Sequence, residues 1–243
     1  FVFKESSTIL LSEHLYTDIK KYVPYDKIYI CPNGLEDKNT NAANNKKPKN
    51  GITNILFLSN LIKSKGVFDL LDSCAILSQK DYNFQCLFVG SEGDIYKNEF
   101  EEYINKNDIS QYAIYLGAKF DQEKYDIYSN ADIFVFPTFN DCFPLVLIEA
   151  MQFKLPIIST FEGGIPDLID QNINGILIPP RNSDILAHKI EHLIQNPQIA
   201  TEMGERGRNK YDNNDTVDIF ENRIYSILVS ELTKTKKDYA KRN

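Results

Sequence analysis

Past residue 50 the chain alternates short apolar runs with longer stretches in which apolar residues recur every three or four positions. The apolar runs at 54–58 (NILFL), 84–89, 114–116, 133–136, 157–159 and 176–178 predict strands. The periodic stretches at 67–79, 95–105, 123–130, 145–153 and 166–170 predict helices, and Ser183 is placed to cap one more, running to about residue 195. Regular strand-helix alternation favours right-handed βαβ units, so the predicted fold class is α/β with a doubly wound parallel sheet. In such sheets ligands sit outside the carboxyl ends of the strands.

The first fifty residues read differently. The chain opens at Phe1, without Met and inside an apolar run that Val2 and Phe3 could end as a strand, which suggests a piece of a longer protein. Residues 8–20 have helical spacing with Ser6 or Ser7 as cap, 27–31 (KIYIC) alternate like a short strand, and Pro32-Asn33-Gly34 makes a turn. Residues 37–50 (DKNTNAANNKKPKN) carry almost no apolar content and read as a solvated linker at a domain boundary. At the other end, 216–232 is a helix whose Val217, Ile219, Phe220, Ile224, Ile227 and Leu228 look like a packing stripe. A basic tail, 234–242, follows it.

Composition narrows the function classes. A chain of 243 residues, 42% of them hydrophobic, can bury a full core. Its net charge of −7 argues against nucleic acid as a partner, because backbone-phosphate affinity rests on clustered Lys and Arg. Cys31, Cys74, Cys86 and Cys142 lie far apart with no C-x-x-C pair, which fits a reduced, cytoplasmic setting. No apolar run approaches the length needed to span a bilayer, so membrane contact is expected to be peripheral at most, at the inner face and through the basic tail. His188 and His192 have an i, i+4 spacing compatible with a metal, yet no H-E-x-x-H pattern accompanies them; a solvated helix face is expected, and no metal.

Four predicted strand ends carry chemistry. The first runs through Ser59-Asn60 to Lys65-Gly66 before a helix, which is either a solvated loop or a cation beside a helix N-terminus able to take a diphosphate. The second ends at Gly90, where glycine either admits a close ligand or supplies a positive φ. The third ends at Gly117-Ala118, small enough for backbone to meet the edge of a base. The fourth leads through Asn140 to Asp141, Cys142, Phe143 and Pro144. Proline suits a first helical position, leaving the amides near Leu145 and Val146 for an anion. Glu149 is the one charge in FPLVLIEAM, and side chains on a helix lean back toward its start. Its carboxylate either joins a helix-facing ion pair or accepts from two vicinal hydroxyls.

Asp141, seven residues and Glu149 together resemble the donor-binding signature of the retaining glycosyltransferases of family 4. KIYICPNGLE, FLSNLIKSKG, FVGSEG, YLGAKF and STFEGGIPDLI match further segments of that family in the right order. The resemblance implies a GT-B fold of two Rossmann-like domains, with residues 1–36 a remnant of the acceptor-binding first domain and 37–50 a linker. Residues 51–212 would then be the nucleotide-sugar-binding domain and 213–243 a crossover helix with its tail. It implies a UDP-sugar or GDP-sugar as donor, no further cofactor, and a glycan or lipid-linked acceptor in surface polysaccharide synthesis.

By the same resemblance Glu149 takes the ribose, Asp141 the hydroxyls of the transferred sugar and Lys65 the pyrophosphate. Asn60, Gly66, Gly90, Gly117, Ala118, Phe143, Pro144, Leu145 and Val146 line the donor. The family often has Glu where Asp141 stands, and Gly-Arg where Ser59-Asn60 stands, so a partner cation for Lys65 is missing or comes from elsewhere. Two other readings remain: a non-catalytic nucleotide-sugar-binding module, and a nucleotide-sugar epimerase of the same two-domain plan. Residues 1–243 alone are expected to bind nucleotide with little transfer.

Overall fold

A computed structural model describes residues 6–38 and 51–242, with side chains as far as 234. Thr53–Leu58 (β3), Phe84–Val89 (β4), Ala113–Tyr115 (β5), Ile133–Phe136 (β6), Ile157–Thr160 (β7) and Gly175–Ile178 (β8) form one six-stranded sheet. Every pairing in it is parallel and the order is β5-β4-β3-β6-β7-β8. The strands therefore wind outward in opposite directions from the β3/β6 seam, the topological switch point of a Rossmann-like doubly wound sheet. That is the fold class expected from the sequence.

The strands are mostly apolar because both faces are covered, and the buried Ser159 and Thr160 of β7 donate to the Phe136 and Thr138 carbonyls. Phe57 of β3 meets Phe88 of β4 at 5.3 Å and Phe136 of β6 at 6.1 Å between ring centroids, and all three are buried. The helices that follow the strands are Val67–Ser78, Lys97–Lys106, Asp121–Asn130, Leu145–Gln152, Ile165–Leu168 and Ser183–Gln195. Each lies within about two residues of its expected position. The cap of Ser183–Gln195 is Asn182, not Ser183: its Oδ1 accepts from the Ile185 amide at 3.0 Å.

Other elements depart from the sequence reading. Residues 8–20 are not one helix. Thr8–Leu10 (β1) pairs in parallel with Ile28–Ile30 (β2) in a separate two-stranded sheet, and only Tyr16–Ile19 is α-helical. Ser6 and Ser7 therefore cap nothing there; Ser12 caps the short 3-10 turn at Glu13–Leu15. A helix at Pro197–Asn214 fills a stretch where the sequence reading places no element. In the last helix, Val217–Arg242, Ile227 is buried, but Leu228 lies 53% exposed, outside the expected packing stripe. Val2 and Phe3 lie outside the described residues, as do 39–50 of the expected linker.

The chain reaches the large domain in a fixed path through 34–38. Leu35 exchanges backbone bonds with Asp215 and Val217, at 2.9 and 3.1 Å. Gln152 Nε2 donates to the Glu36 carbonyl at 3.0 Å, and Arg208 grips Asp37 with both terminal nitrogens, Nη2 to Oδ2 at 2.6 Å.

Asp215, 4% exposed, is a buried carboxyl at this junction. Burial pushes its carboxyl up to about 6, against the lowering pull of Lys210 and Arg223. A carboxyl raised from its unfolded value of 3.8 binds more protons folded than unfolded between those values, so its contribution favours folding as pH falls through that window. The stability of wild type relative to Asp215→Asn should rise as pH drops from about 7 to about 4.5, measured by urea unfolding at each pH. A difference that stays flat with pH would contradict this.

Candidate functional site

The seam between β3 and β6 carries the strongest candidates. After β3 the chain makes a short 3-10 turn, Lys63–Lys65, and then turns left-handed at Gly66 (φ +79°) before the helix Val67–Ser78. Glycine is required there: a Cβ would lie 2.2 Å from the Pro137 carbonyl oxygen, on the loop leaving β6. The Ser64 carbonyl ties the same two loops, accepting from the Phe139 amide at 2.9 Å and from Thr138 Oγ1 at 3.1 Å. As a result Lys65 Nζ meets Asp141 Oδ2 at 2.7 Å and the Asn140 carbonyl at 2.9 Å, with both side chains mostly buried. The structure thus brings Lys65, Gly66 and Asp141 together. No side chain caps the helix after Gly66, so its first amides keep their affinity for an anion.

The loop from Asp141 runs into the helix Leu145–Gln152. Pro144 is the cap of that helix and not its first residue: it is extended (φ −72°, ψ 117°), and Leu145 begins the helix. Leu145 and Val146, as the first two helical residues, have amides with no intrahelical acceptor. Phe143 is buried under this turn.

Glu149 is engaged from two sides. Lys124 Nζ lies 2.6 Å from its Oε1, and Tyr128 donates to its Oε2 at 2.9 Å. The helix-facing ion pair that the sequence left open is therefore present. Tyr128 is fully buried; burial first, then the Glu149 charge, pushes its phenol well above the usual range, so it remains a donor. Sequence reasoning missed Lys124 and Tyr128. They lie 25 and 21 residues from Glu149, and their i, i+4 spacing on one helix was the only signal.

The remaining candidates occupy the other half of the sheet edge. A Cβ at Gly90 (φ +153°) would come within 1.9 Å of the Ser59 carbonyl oxygen, so the neighbour its missing side chain admits is protein backbone. The Gly90 amide bonds the Gly117 carbonyl at 3.1 Å, which joins the ends of β4 and β5. Gly117 (φ +69°) faces open space, and Ala118 is exposed beside it. Both sit at edge strand β5, two strands from the Lys65–Asp141 pair. Asn60 is exposed, and its Oδ1 accepts from the Ser91 amide at 3.2 Å. Arg181, which the sequence did not single out, lies 4.2 Å above the ring of Phe139 in the loop that leads to Asp141. Among the described residues no group of three His, Cys, Asp or Glu could hold a metal ion, and no helix is long and apolar enough to cross a membrane.

The comparisons agree with this architecture. The model of the family described as Glycosyl transferases group 1 matches residues 37–210. The chain belongs to that family. It is 27% identical over 194 residues to the capsular polysaccharide biosynthesis glycosyltransferase CapM of Staphylococcus aureus, across 79% of this chain and 48% of that one. The chain spans about half the length of the curated relatives it matches. In structure it is similar to a glycosyltransferase of Rickettsia africae (TM-score 0.83, 23% identity, 93% of this chain and 64% of the other). It is also similar to Anabaena Alr3699/HepE in complex with UDP (TM-score 0.81, 19% identity, with the same shares). These likenesses give the fold: a Rossmann-like domain of the GT-B type.

Proposed function

We propose that this group 1 glycosyltransferase chain binds a nucleotide diphosphate sugar, a UDP-sugar or GDP-sugar, at the β3/β6 seam, and is the donor-binding portion of a retaining enzyme of surface polysaccharide synthesis. The observation that carries the reading is the meeting of Lys65 and Asp141 at 2.7 Å on the switch point, between the two helix starts at Val67 and Leu145. A diphosphate seated on those helix ends draws Lys65 away from Asp141, and the released carboxylate accepts from the sugar hydroxyls. Glu149 keeps one lone pair on each oxygen beyond Lys124 and Tyr128, enough for the two ribose hydroxyls. As the diphosphate departs it gains negative charge, and Lys65 with the amides of both helices stabilises that charge without reorganising. Arg181, stacked on Phe139 in the loop that leads to Asp141, is the cation we assign in place of the arginine that the family often has at Asn60. The acceptor, a glycan or lipid-linked hydroxyl, meets a further domain of the same protein. This accords with curated relatives of which the chain covers about half. In this reading residues 1–36 belong to that domain and 213–243 cross back to it.

Asn60 favours a second reading, a non-catalytic binding module, because its side chain serves the Ser91 amide and brings no charge to the clamp. Product analysis of the full-length protein, acceptor-binding domain included, after incubation with donor and acceptor separates the readings. Transferase predicts free nucleoside diphosphate with sugar on the acceptor, and a binding module predicts donor bound and unchanged. An epimerised sugar would overturn both.

A further inference from the structure

The leading segment that carries β1 and β2 shares no strand with the large sheet, yet it touches the wall of the candidate donor mouth. Ser12, fully buried, donates its hydroxyl to Asp167 Oδ2 and accepts from the His14 amide at 3.1 Å. His14 Nδ1 lies 2.9 Å from the other oxygen of Asp167. Asp167 sits on Ile165–Leu168, the short helix that opens after Gly163-Gly164, and its amide bonds the Gly164 carbonyl at 3.1 Å.

That glycine pair is wedged between Ser12 and the loop that carries Asp141. A Cβ at Gly164 would lie 2.6 Å from the Ser12 Cβ and 2.7 Å from the Phe143 ring; one at Gly163 (φ +52°) would lie 2.1 Å from the Asp141 carbonyl oxygen. The Gly164 amide also donates to the Cys142 carbonyl at 2.7 Å. Each contact is between atoms that cannot move apart without breaking a hydrogen bond or opening a gap in close packing.

We propose that Asp167 is a positioning residue for donor binding: by clamping Ser12 and His14 it holds the Gly163-Gly164 turn against residues 141–143, and so sets Asp141 and the helix start at Leu145. The inference rests on the donor reading of that loop. A second tether holds the same leading segment away from the mouth: Glu231 accepts from Ser7 at 2.7 Å and from Tyr29 at 2.6 Å. It serves as the control, since loosening it frees the segment without touching the Gly163-Gly164 turn. Coupling of this kind is reciprocal, so a nucleotide at the mouth must tighten the clamp as much as the clamp tightens the nucleotide.

The test compares Asp167→Ala, Asp167→Asn and Glu231→Ala with wild type, by calorimetric titration with UDP and GDP and by amide hydrogen exchange. Asp167→Ala is expected to weaken nucleotide binding about fivefold, the scale of one lost positioning contact, and Glu231→Ala less than twofold, even where both lower the melting temperature. Asp167→Asn, which keeps an oxygen for Ser12, should recover most of the affinity. Without nucleotide, exchange at 143–147 should quicken in Asp167→Ala only; with nucleotide, exchange at 12–15 should slow in wild type and not in Asp167→Ala. Equal effects of Asp167→Ala and Glu231→Ala on affinity and on exchange at 143–147 would overturn the proposal. If wild type binds neither nucleotide, the donor reading fails, and the exchange at 143–147 still decides the clamp.

Discussion

Gly66→Ala should lower the unfolding free energy by about 3–4 kcal/mol, the sum of a left-handed alanine and an overpacked contact. The backbone at Gly66 has φ +79°, and the added methyl would press on the Pro137 carbonyl at 2.2 Å. Neither partner is a flexible side-chain end, so one loop must move. Gly117→Ala separates the two contributions. Gly117 is also left-handed at φ +69°, but nothing lies within 4 Å of the added carbon, so only the conformational cost of about 1–2 kcal/mol applies. Urea unfolding of both variants checks the contrast, and equal losses would mean that crowding at the β3/β6 seam plays no part. Because the seam also brings Lys65 to Asp141, Gly66→Ala should lose nucleotide affinity even at temperatures where it stays folded, whereas Gly117→Ala changes stability by the smaller amount.

Glu149→Ala is expected to weaken nucleotide diphosphate binding by about 2–3 kcal/mol, roughly 30- to 150-fold, since hydrogen bonds to a carboxylate are the strong ones. The partners seen here sharpen the test. If the carboxylate serves only as an ion-pair partner for Lys124, Lys124→Met should behave like Glu149→Ala. If it receives ribose hydroxyls, Lys124→Met leaves it in place, still held by Tyr128 at 2.9 Å, and affinity falls by much less than in Glu149→Ala. Calorimetric titration of the two variants side by side reads the difference. Tyr128 retains the Val146 carbonyl at 3.3 Å, so Glu149→Ala should remain folded and its affinity measurable.

What the sequence made legible follows from which forces are local. The six strands of the large sheet are short, mostly apolar runs, and their alternation with periodic stretches is enough to predict a doubly wound parallel sheet. The failure at 8–20 is of the opposite kind. Leu11, Leu15 and Ile19 carry a helical spacing, but Thr8–Leu10 finds a partner in Ile28–Ile30, and that pairing overrides the local period. Pro197–Asn214 was illegible because Gly204 and Gly207 weaken its helical pattern. Gly204 is there for packing: a Cβ would sit 2.0 Å from the Lys154 carbonyl oxygen.

At the site, the local motifs singled out Lys65, Gly66 and Asp141, which the fold brings together. Other contacts around the site come from far along the chain. Lys124 reaches Glu149, Asp167 reaches Ser12, and Arg181 covers Phe139 through contacts that no spacing within a motif announces. Asn60, Gly90 and the Pro144 cap also depart from the simplest reading. The Asn60 side chain bonds the Ser91 amide and Gly90 lies against the Ser59 carbonyl, neighbours that only the folded sheet brings close, while Pro144 closes the first turn of its own helix by accepting from the Leu147 amide.

The most direct test of the donor site is a crystal structure of the chain grown with a UDP-sugar or GDP-sugar. The account predicts the diphosphate on Lys65 Nζ and the amides that open the helices at Val67 and Leu145, with the ribose hydroxyls on Glu149 and the sugar against Asp141. Nucleotide bound elsewhere, with Lys65 still on Asp141 and no ribose at Glu149, would contradict it.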